Sequence, residues 1–196
     1  MKKTILTTAL LTAFGVAAIV SQSAMAALPS PVSNPGPDGT INITGNVIAQ
    51  SCLVDGNAAG TSDTKTVTLS NVLTSDFGSS IGSVAAPTQF SIAITGCNAA
   101  LSTVQAFFTG GDIDTTSGNL LNKAASGSNV EVQLLNASGT AISLKGANAT
   151  AQNSQSANLV NGAATLNYTA QYITSVTGVP TAGGVTTAVN FTLIYQ

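Results

Sequence analysis

Apolar and polar residues alternate in several short stretches of the chain. In 88–97, "TQFSIAITGC", every second residue is apolar, and 163–174, "AATLNYTAQYIT", repeats this pattern. An alternation of period two places one set of side chains on one face of a β-strand. Gly, Asn, Asp and Ser separate the stretches, which predicts an all-β sandwich or barrel. The predicted strands are 65–72, 88–97, 102–111, a hairpin over 129–144 with its turn at 136–139, 163–174 and 186–196.

One further alternating segment, "GTINITGNV" at residues 39–47, is unusual. Ile41, Ile43 and Val47 form the apolar face of a predicted strand. Gly45 lies on the same face, where a strand normally places a packing side chain. The pattern alone does not say which core this strand joins.

The N-terminus predicts a secretory signal peptide over 1–26. Lys2 and Lys3 precede an apolar run, and Ala24-Met25-Ala26 fits a cleavage signal, with the cut between Ala26 and Ala27. The apolar run is short for a membrane-spanning helix. The twelve residues after the signal peptide, 27–38, contain four prolines and are expected to form an extended linker.

Charge is scarce in this chain. Charged residues make up 6% of the sequence, and the net charge is −2. Removal of the signal peptide leaves three lysines against seven acidic residues, a net charge of −4. This composition lacks the basic footprint of a nucleic-acid-binding protein. A surface with little charge repels copies of itself weakly, which suits a protein that packs against its own kind.

Cys52 and Cys97 are the two cysteines of the chain. A single pair in an exported protein is best interpreted as one disulfide. A zinc site is a poor alternative, because the chain contains no histidine.

Candidate chemistry is sparse. The lack of histidine excludes His-based triads, and no catalytic residue, metal ligand or cofactor is predicted. Asp112 and Asp114 are able to bind calcium in principle, but a solvated loop is the preferred interpretation. The three tyrosines, which are able to stack on sugars, are interpreted as buried because they alternate with core positions; they are Tyr168, Tyr172 and Tyr195.

In this order behind a signal peptide, the segments resemble the pilin subunits of bacterial chaperone–usher fimbriae, especially major subunits of the type 1 kind. The resemblance covers nearly all of the mature chain. It rests on "GTINITGNV", whose Gly45 lies seven residues before Cys52, and on the cysteine pair. It also rests on "VEVQLLNASGTAISLKG" (130–146), "YTAQY" (168–172) and the ending "NFTLIYQ".

The resemblance implies an incomplete immunoglobulin-like β-sandwich that a donor strand from a neighbouring subunit completes. It implies an N-terminal extension over 27–45 and a pilin domain over 46–196. The implied donor-strand positions are Gly39, Ile41, Ile43, Gly45 and Val47. The implied groove and chaperone-contact positions on the last strand are Val189, Phe191, Leu193 and Tyr195.

The implied function is that of a structural subunit of a surface fimbria, which polymerises into the pilus rod and supports cell adhesion. The implied partners are identical subunits, other fimbrial subunits, a periplasmic chaperone and an outer-membrane usher. The implied location is the bacterial cell surface, reached through the periplasm. A minor adaptor or tip-associated subunit is the alternative, and a secreted β-sandwich enzyme has no supporting residue.

Overall fold

The computed structural model describes residues 42–44, 52–58 and 64–196. The chain divides into two units, Met1–Gly45 and Asn46–Gln196, and each is described by itself. Within the first unit, Ile43 is 90% exposed. No helix in the described ranges is long and apolar enough to cross a membrane. Several predicted features lie outside the described residues: the signal peptide, its Ala26/Ala27 cleavage site, the proline-rich linker 27–38, and Gly39, Ile41, Gly45 and Val47.

The described residues of the second unit form eight strands in two antiparallel sheets, so the predicted all-β class is confirmed. The five-stranded sheet has the order β2-β1-β3-β7-β5, and the three-stranded sheet has the order β6-β4-β8. A 3-10 helix, Thr74–Asp76, is the one helix in the described ranges. The strands are β1 (Leu53–Val54), β2 (Asn57–Ala58), β3 (Val84–Thr95), β4 (Thr103–Thr109), β5 (Val130–Asn136), β6 (Ala157–Asn158), β7 (Ala164–Thr174) and β8 (Asn190–Tyr195).

The longest strand, β3, begins four residues before the predicted start. The sequence "VAAP" contains Pro87, which normally marks a strand end. The structure continues the strand through an irregularity between Ala85 and Thr88, where Ala86 has a φ of 50°. Pro87 is tolerated because the ladder with β7 is interrupted there.

The predicted hairpin at 129–144 is half right. Asn136 forms its turn, because the Asn136 side-chain oxygen accepts the backbone N–H groups of Ser138 and Thr140 at 3.0 Å each. Gly139 takes the positive φ of +77° that the turn requires. The returning arm is not a strand: it makes a single bridge, Leu135 to Ala141, and leaves the sheet.

The prediction of a paired β-strand at 65–72 is wrong. Val67 and Leu69 are half-buried against the core, and their neighbours are exposed, as the alternation predicts. Among the described residues, however, the backbone of 64–72 makes no hydrogen bond. The pattern identified an apolar face and carried no information about a pairing partner.

The core lies between the two sheets and centres on Tyr168. The Tyr168 ring is 5.5 Å from the ring of Phe90 and 5.3 Å, edge-on, from that of Phe108. Burial raises the pKa of the Tyr168 hydroxyl, which lies 3.4 Å from the Ser154 hydroxyl. Tyr168 is therefore a core residue, as predicted, and Tyr172 and Tyr195 are half-buried.

A buried glutamine joins the core to a loop. Gln152 is fully buried, and its side-chain oxygen accepts the Phe108 N–H at 3.0 Å. Its side-chain nitrogen donates to the carbonyls of Phe108 at 2.7 Å and Leu144 at 3.0 Å. The bonds to Phe108 satisfy backbone groups of β4 that no described strand pairs at this point.

The structure contains the predicted disulfide, Cys52–Cys97. Cys52 is 1% exposed and packs in the core cluster. The bond ties the residue before β1 to the residues after β3, across a sequence separation of 45. It therefore fixes the start of the domain to its longest strand.

Replacing Cys52 with serine is expected to lower the free energy of unfolding by about 4 kcal/mol, the loop-entropy value for a loop of this length. Urea denaturation of the purified subunit measures this change. The double variant Cys52→Ser/Cys97→Ser should lose a similar amount, because the bond is already absent. A loss below about 1 kcal/mol would show that packing alone closes this loop.

Candidate functional site

The last strand, β8, lies at the edge of its sheet. Among the described strands it pairs with β4 alone. Gln196 and Thr103 exchange two backbone hydrogen bonds of 3.0 Å, which sets the alternation of the ladder. In an antiparallel pair, backbone groups point alternately toward and away from the partner strand. The even-numbered residues of β8 therefore bond to β4, and the odd-numbered residues face the other edge.

The odd-numbered residues also carry the apolar side chains. Phe191 and Leu193, together with Val189 just before the strand, point into the core and are half-buried. Their backbone groups make no hydrogen bond to any residue the structure describes. Tyr195 lies half-buried on the same face.

On the neighbouring strand, β4, the inward-facing side chains are fully buried. On β4, the inward-facing Val104, Ala106 and Phe108 are at most 2% exposed. The core is thus covered over β4 and left partly open along β8. An exposed apolar edge of this kind is normally blunted by charge, proline or a bulge. Residues 190–196 contain neither charge nor proline.

Two polar side chains hold the chain just before β8. The Asp112 carboxylate accepts the Ala188 N–H at 2.8 Å, and the Asp112 N–H donates to the Ala188 carbonyl at 2.8 Å. The Asn122 side-chain oxygen accepts the Thr186 N–H at 2.9 Å. A Cβ on Gly111, which has a φ of +65°, would collide with the Ala188 carbonyl. These contacts, here called the strand clamp, fix β8 on one side only.

The two aspartates considered as a calcium site have separate structural roles. Asp112 belongs to the strand clamp. The Asp114 carboxylate accepts the N–H groups of Thr116 at 2.9 Å and Ser117 at 3.3 Å, and these bonds lower the Asp114 pKa. Among the described residues, no group of three or more His, Cys, Asp or Glu side chains is placed to hold a metal ion.

A salt bridge anchors the start of residues 64–72. The Lys65 ammonium lies 2.8 Å from the Asp55 carboxylate, which also accepts the Ala93 N–H at 2.9 Å. Partial burial alone would raise the Asp55 pKa. The hydrogen bonds from Lys65 and Ala93, together with the Lys65 charge, outweigh burial, so the Asp55 pKa lies below its ordinary value.

Comparison with known proteins identifies the family. The family model FimA, described as "Type-1 fimbrial protein, A", matches residues 66–196. The chain belongs to this family. The F17 fimbrial protein of Escherichia coli is 41% identical over 167 residues, which cover 81% of this chain and 88% of that protein. The major fimbrial subunit SMF-1 of Stenotrophomonas maltophilia is 32% identical over 85% of this chain and 98% of its own length.

Solved pilus structures share the fold of this fimbrial protein. A chaperone–usher pilus studied for rod uncoiling matches with a TM-score of 0.56 and 22% identity, over 85% of this chain and all of that chain. The P pilus rod subunit PapA matches with a TM-score of 0.55 and 21% identity, over 74% of this chain and 99% of its own. The two sheets therefore form the immunoglobulin-like fold of pilin subunits.

Family membership settles the coarse function. The protein is a structural subunit of a surface fimbria, which assembles with other fimbrial subunits, and its family is not enzymatic. The resemblance inferred from the sequence motifs is confirmed. The sequence did not reveal the strand clamp, because Asp112 and Asn122 contact residues more than 60 positions away.

Replacing Asp112 with alanine is expected to speed hydrogen exchange of the Ala188 amide about tenfold, since its hydrogen bond to the carboxylate is lost. Asp112→Asn keeps an acceptor and should change the rate less. Asp114→Ala is the matched control, because its bonds lie in a separate turn. Unchanged exchange at Ala188 in Asp112→Ala would show that the backbone alone holds this segment.

The salt bridge predicts a pH dependence. A carboxylate with a lowered folded-state pKa stabilises the fold above the unfolded-state pKa, and the effect disappears as pH falls through the folded-state pKa. Lys65→Met should raise the Asp55 pKa, measured by NMR titration, and reduce the loss of stability in acid. Lys145→Met is the control, because Lys145 donates to the Thr116 carbonyl. An unchanged Asp55 pKa would contradict this assignment.

Proposed function

We propose that this subunit builds the fimbrial rod by donor-strand exchange. Residues 39–47 of one subunit enter the open groove beside β8 of another. The observation that carries the proposal is the state of β8, where half-buried Phe191 and Leu193 alternate along a backbone edge that no described strand pairs. An added strand gains a ladder of main-chain hydrogen bonds, and its alternate side chains fill pockets.

Residues 64–72 supply a second edge for such a strand. Val67 and Leu69 pack against the same core cluster as Phe191, and their backbone makes no hydrogen bond to a described residue. A strand inserted between this segment and β8 would pair on both sides. It would also complete the sandwich and bury the half-exposed groove positions Val189, Phe191, Leu193 and Tyr195.

The donor side of the proposal rests on the alternation in 39–47. Ile41, Ile43 and Val47 would enter the neighbouring groove, and burial of three aliphatic side chains contributes on the order of 5–9 kcal/mol before entropy costs. Gly45, between them, fits where the side chains of the receiving subunit leave little room.

The same groove explains the export partners in this proposal. A periplasmic chaperone would cover β8 before assembly, and an outer-membrane usher would exchange it for the donor segment of the next subunit. The signal peptide over 1–26 would direct the chain to the periplasm. The extension 27–45 would be the donor arm, and 46–196 the receiving domain.

A groove on one subunit and a donor arm on another form a heterologous contact, which does not close and so produces filaments. A chain with both parts is suited to the interior of a fibre. This favours a subunit inside the fibre over a terminal tip subunit, and the abundance of the protein in sheared filaments separates a rod subunit from an adaptor.

Ile43→Asp tests the donor role, because a charge carried into an apolar groove is strongly unfavourable. We expect surface filaments, counted by electron microscopy, to be nearly lost. The variant subunit should keep wild-type binding of a wild-type 39–47 peptide, because its own groove is unchanged.

Asn42→Asp is the matched control, since it adds the same charge to the opposite face of the donor segment. It should still form filaments. Wild-type filament numbers in Ile43→Asp would rule out Ile43 as a groove-filling residue.

A further inference from the structure

The long strand β3 gives the domain two ends. Its last residue, Thr95, pairs with Leu53 near the disulfide, and Cys97 donates its N–H to the Gly162 carbonyl at 3.0 Å. This end, called here the disulfide end, exposes Leu53 at 38% and Val160 at 66%. The first residue of β3, Val84, lies at the other end of the strand.

Two segments at that other end form one compact lobe, defined by residues 79–84 and 173–179. Thr174 is 1% exposed and holds the two segments together. Its hydroxyl donates to the Ser80 carbonyl at 2.9 Å, and its carbonyl accepts the Gly82 N–H at 2.9 Å. The Gly178 N–H donates to the Ser79 carbonyl at 2.9 Å.

This ordered lobe exposes four aliphatic side chains. Ile81 is 63% exposed, Val84 46%, Val176 39% and Val179 58%. No charged residue occurs in 77–111 or in 146–196, so neither segment of the lobe carries charge. A cluster of exposed apolar side chains on a backbone that hydrogen bonds hold in place is typical of an interaction surface.

The donor segment limits what can lie against the lobe, an argument that rests on the proposed function. Val47 and Cys52 are five residues apart, so an extended chain spans at most about 17 Å between them. The disulfide end of the donating subunit must therefore lie within that distance of the place where the donor segment leaves the groove.

The direction of the donor segment then identifies the contact. If the segment runs antiparallel to β8, Val47 leaves near Asn190, at the N-terminal end of β8. The chain reaches that end of β8 from the lobe, since Thr181 donates its N–H to the Asn129 side chain, next to the pairing of Val130 with Thr174. If the segment runs parallel, Val47 leaves at the disulfide end of the receiver, where the receiver's own N-terminal arm also departs. Only the antiparallel direction gives a head-to-tail contact that repeats along a filament.

We propose that the apolar lobe binds the disulfide end of the adjacent subunit in the filament, with Ile81 and Val179 packing near Leu53 and Val160 of that second copy. This contact buries apolar surface in addition to that buried by the donor strand. It also restricts bending between the two subunits.

Cysteine cross-linking in assembled filaments tests this contact. A chain with both Val179→Cys and Val160→Cys should give a ladder of covalent multimers after mild oxidation of sheared filaments. A reductant should collapse that ladder. Each single variant should give no ladder, because one new thiol then lacks its partner.

The matched control pairs Val179→Cys with Ala137→Cys. Ala137 is exposed in the turn after β5, which lies beside the middle of β3 through β7. Filaments in which neither Val160→Cys nor Leu53→Cys cross-links to Val179→Cys more than this control would overturn the proposal.

A second variant serves if the cysteines block assembly. Ile81→Ser/Val179→Ser should bind a 39–47 peptide within about twofold of wild type, since both residues are exposed. Its filament yield should fall about tenfold or more, because two apolar contacts are lost. Wild-type yield would overturn the lobe contact. Failure of the wild-type subunit to bind the peptide would instead refute donor-strand exchange.

Discussion

The open edge of β8 is the constraint on which this subunit depends. Its inward side chains are apolar and only half-buried, and the backbone groups of Phe191 and Leu193 have no partner in the described part of the chain. One added strand resolves both problems, because it brings hydrogen bonds to the backbone and side chains to the groove. If donor-strand exchange operates as proposed, the domain has to stay ordered until that strand arrives.

Order at the open edge comes from contacts placed around it. The strand clamp of Asp112 and Asn122 fixes the residues before β8 from the β4 side, and Gln152 satisfies the β4 backbone at Phe108. At the far end, the disulfide ties Cys52 to the end of β3. Each device acts away from the open edge. These contacts thus hold the edge in place without using the backbone groups of Phe191 and Leu193, which the proposed donor strand would pair.

Alternation allowed much of this fold to be predicted from sequence, and the limits of that signal are physical. Period two identifies which side chains share a face, so β4, β7 and β8 were located well. It does not identify a pairing partner, which is why 65–72 was predicted as a ladder strand. The strand clamp and Gln152 escaped prediction because a hydrogen bond between residues distant in sequence leaves no local pattern. Alternation already placed Val189, Phe191, Leu193 and Tyr195 on one face, whereas their role as groove positions comes from the resemblance to pilins and stays a prediction.

The scarcity of charge follows from the same constraint. Subunits in a filament lie in contact with one another. A charge on a contact surface would therefore be removed from water at every joint, which is unfavourable unless it is paired. The segments 77–111 and 146–196 contain no charged residue, and they include β3, β4, β7 and β8. Solubility before assembly then rests on Ser, Thr and Asn and, under the proposed mechanism, on coverage of the edge of β8. Under the proposed donor-strand exchange, the stability of the subunit grows with the apolar area that its neighbours cover, so folding and polymerisation become successive stages of one burial process.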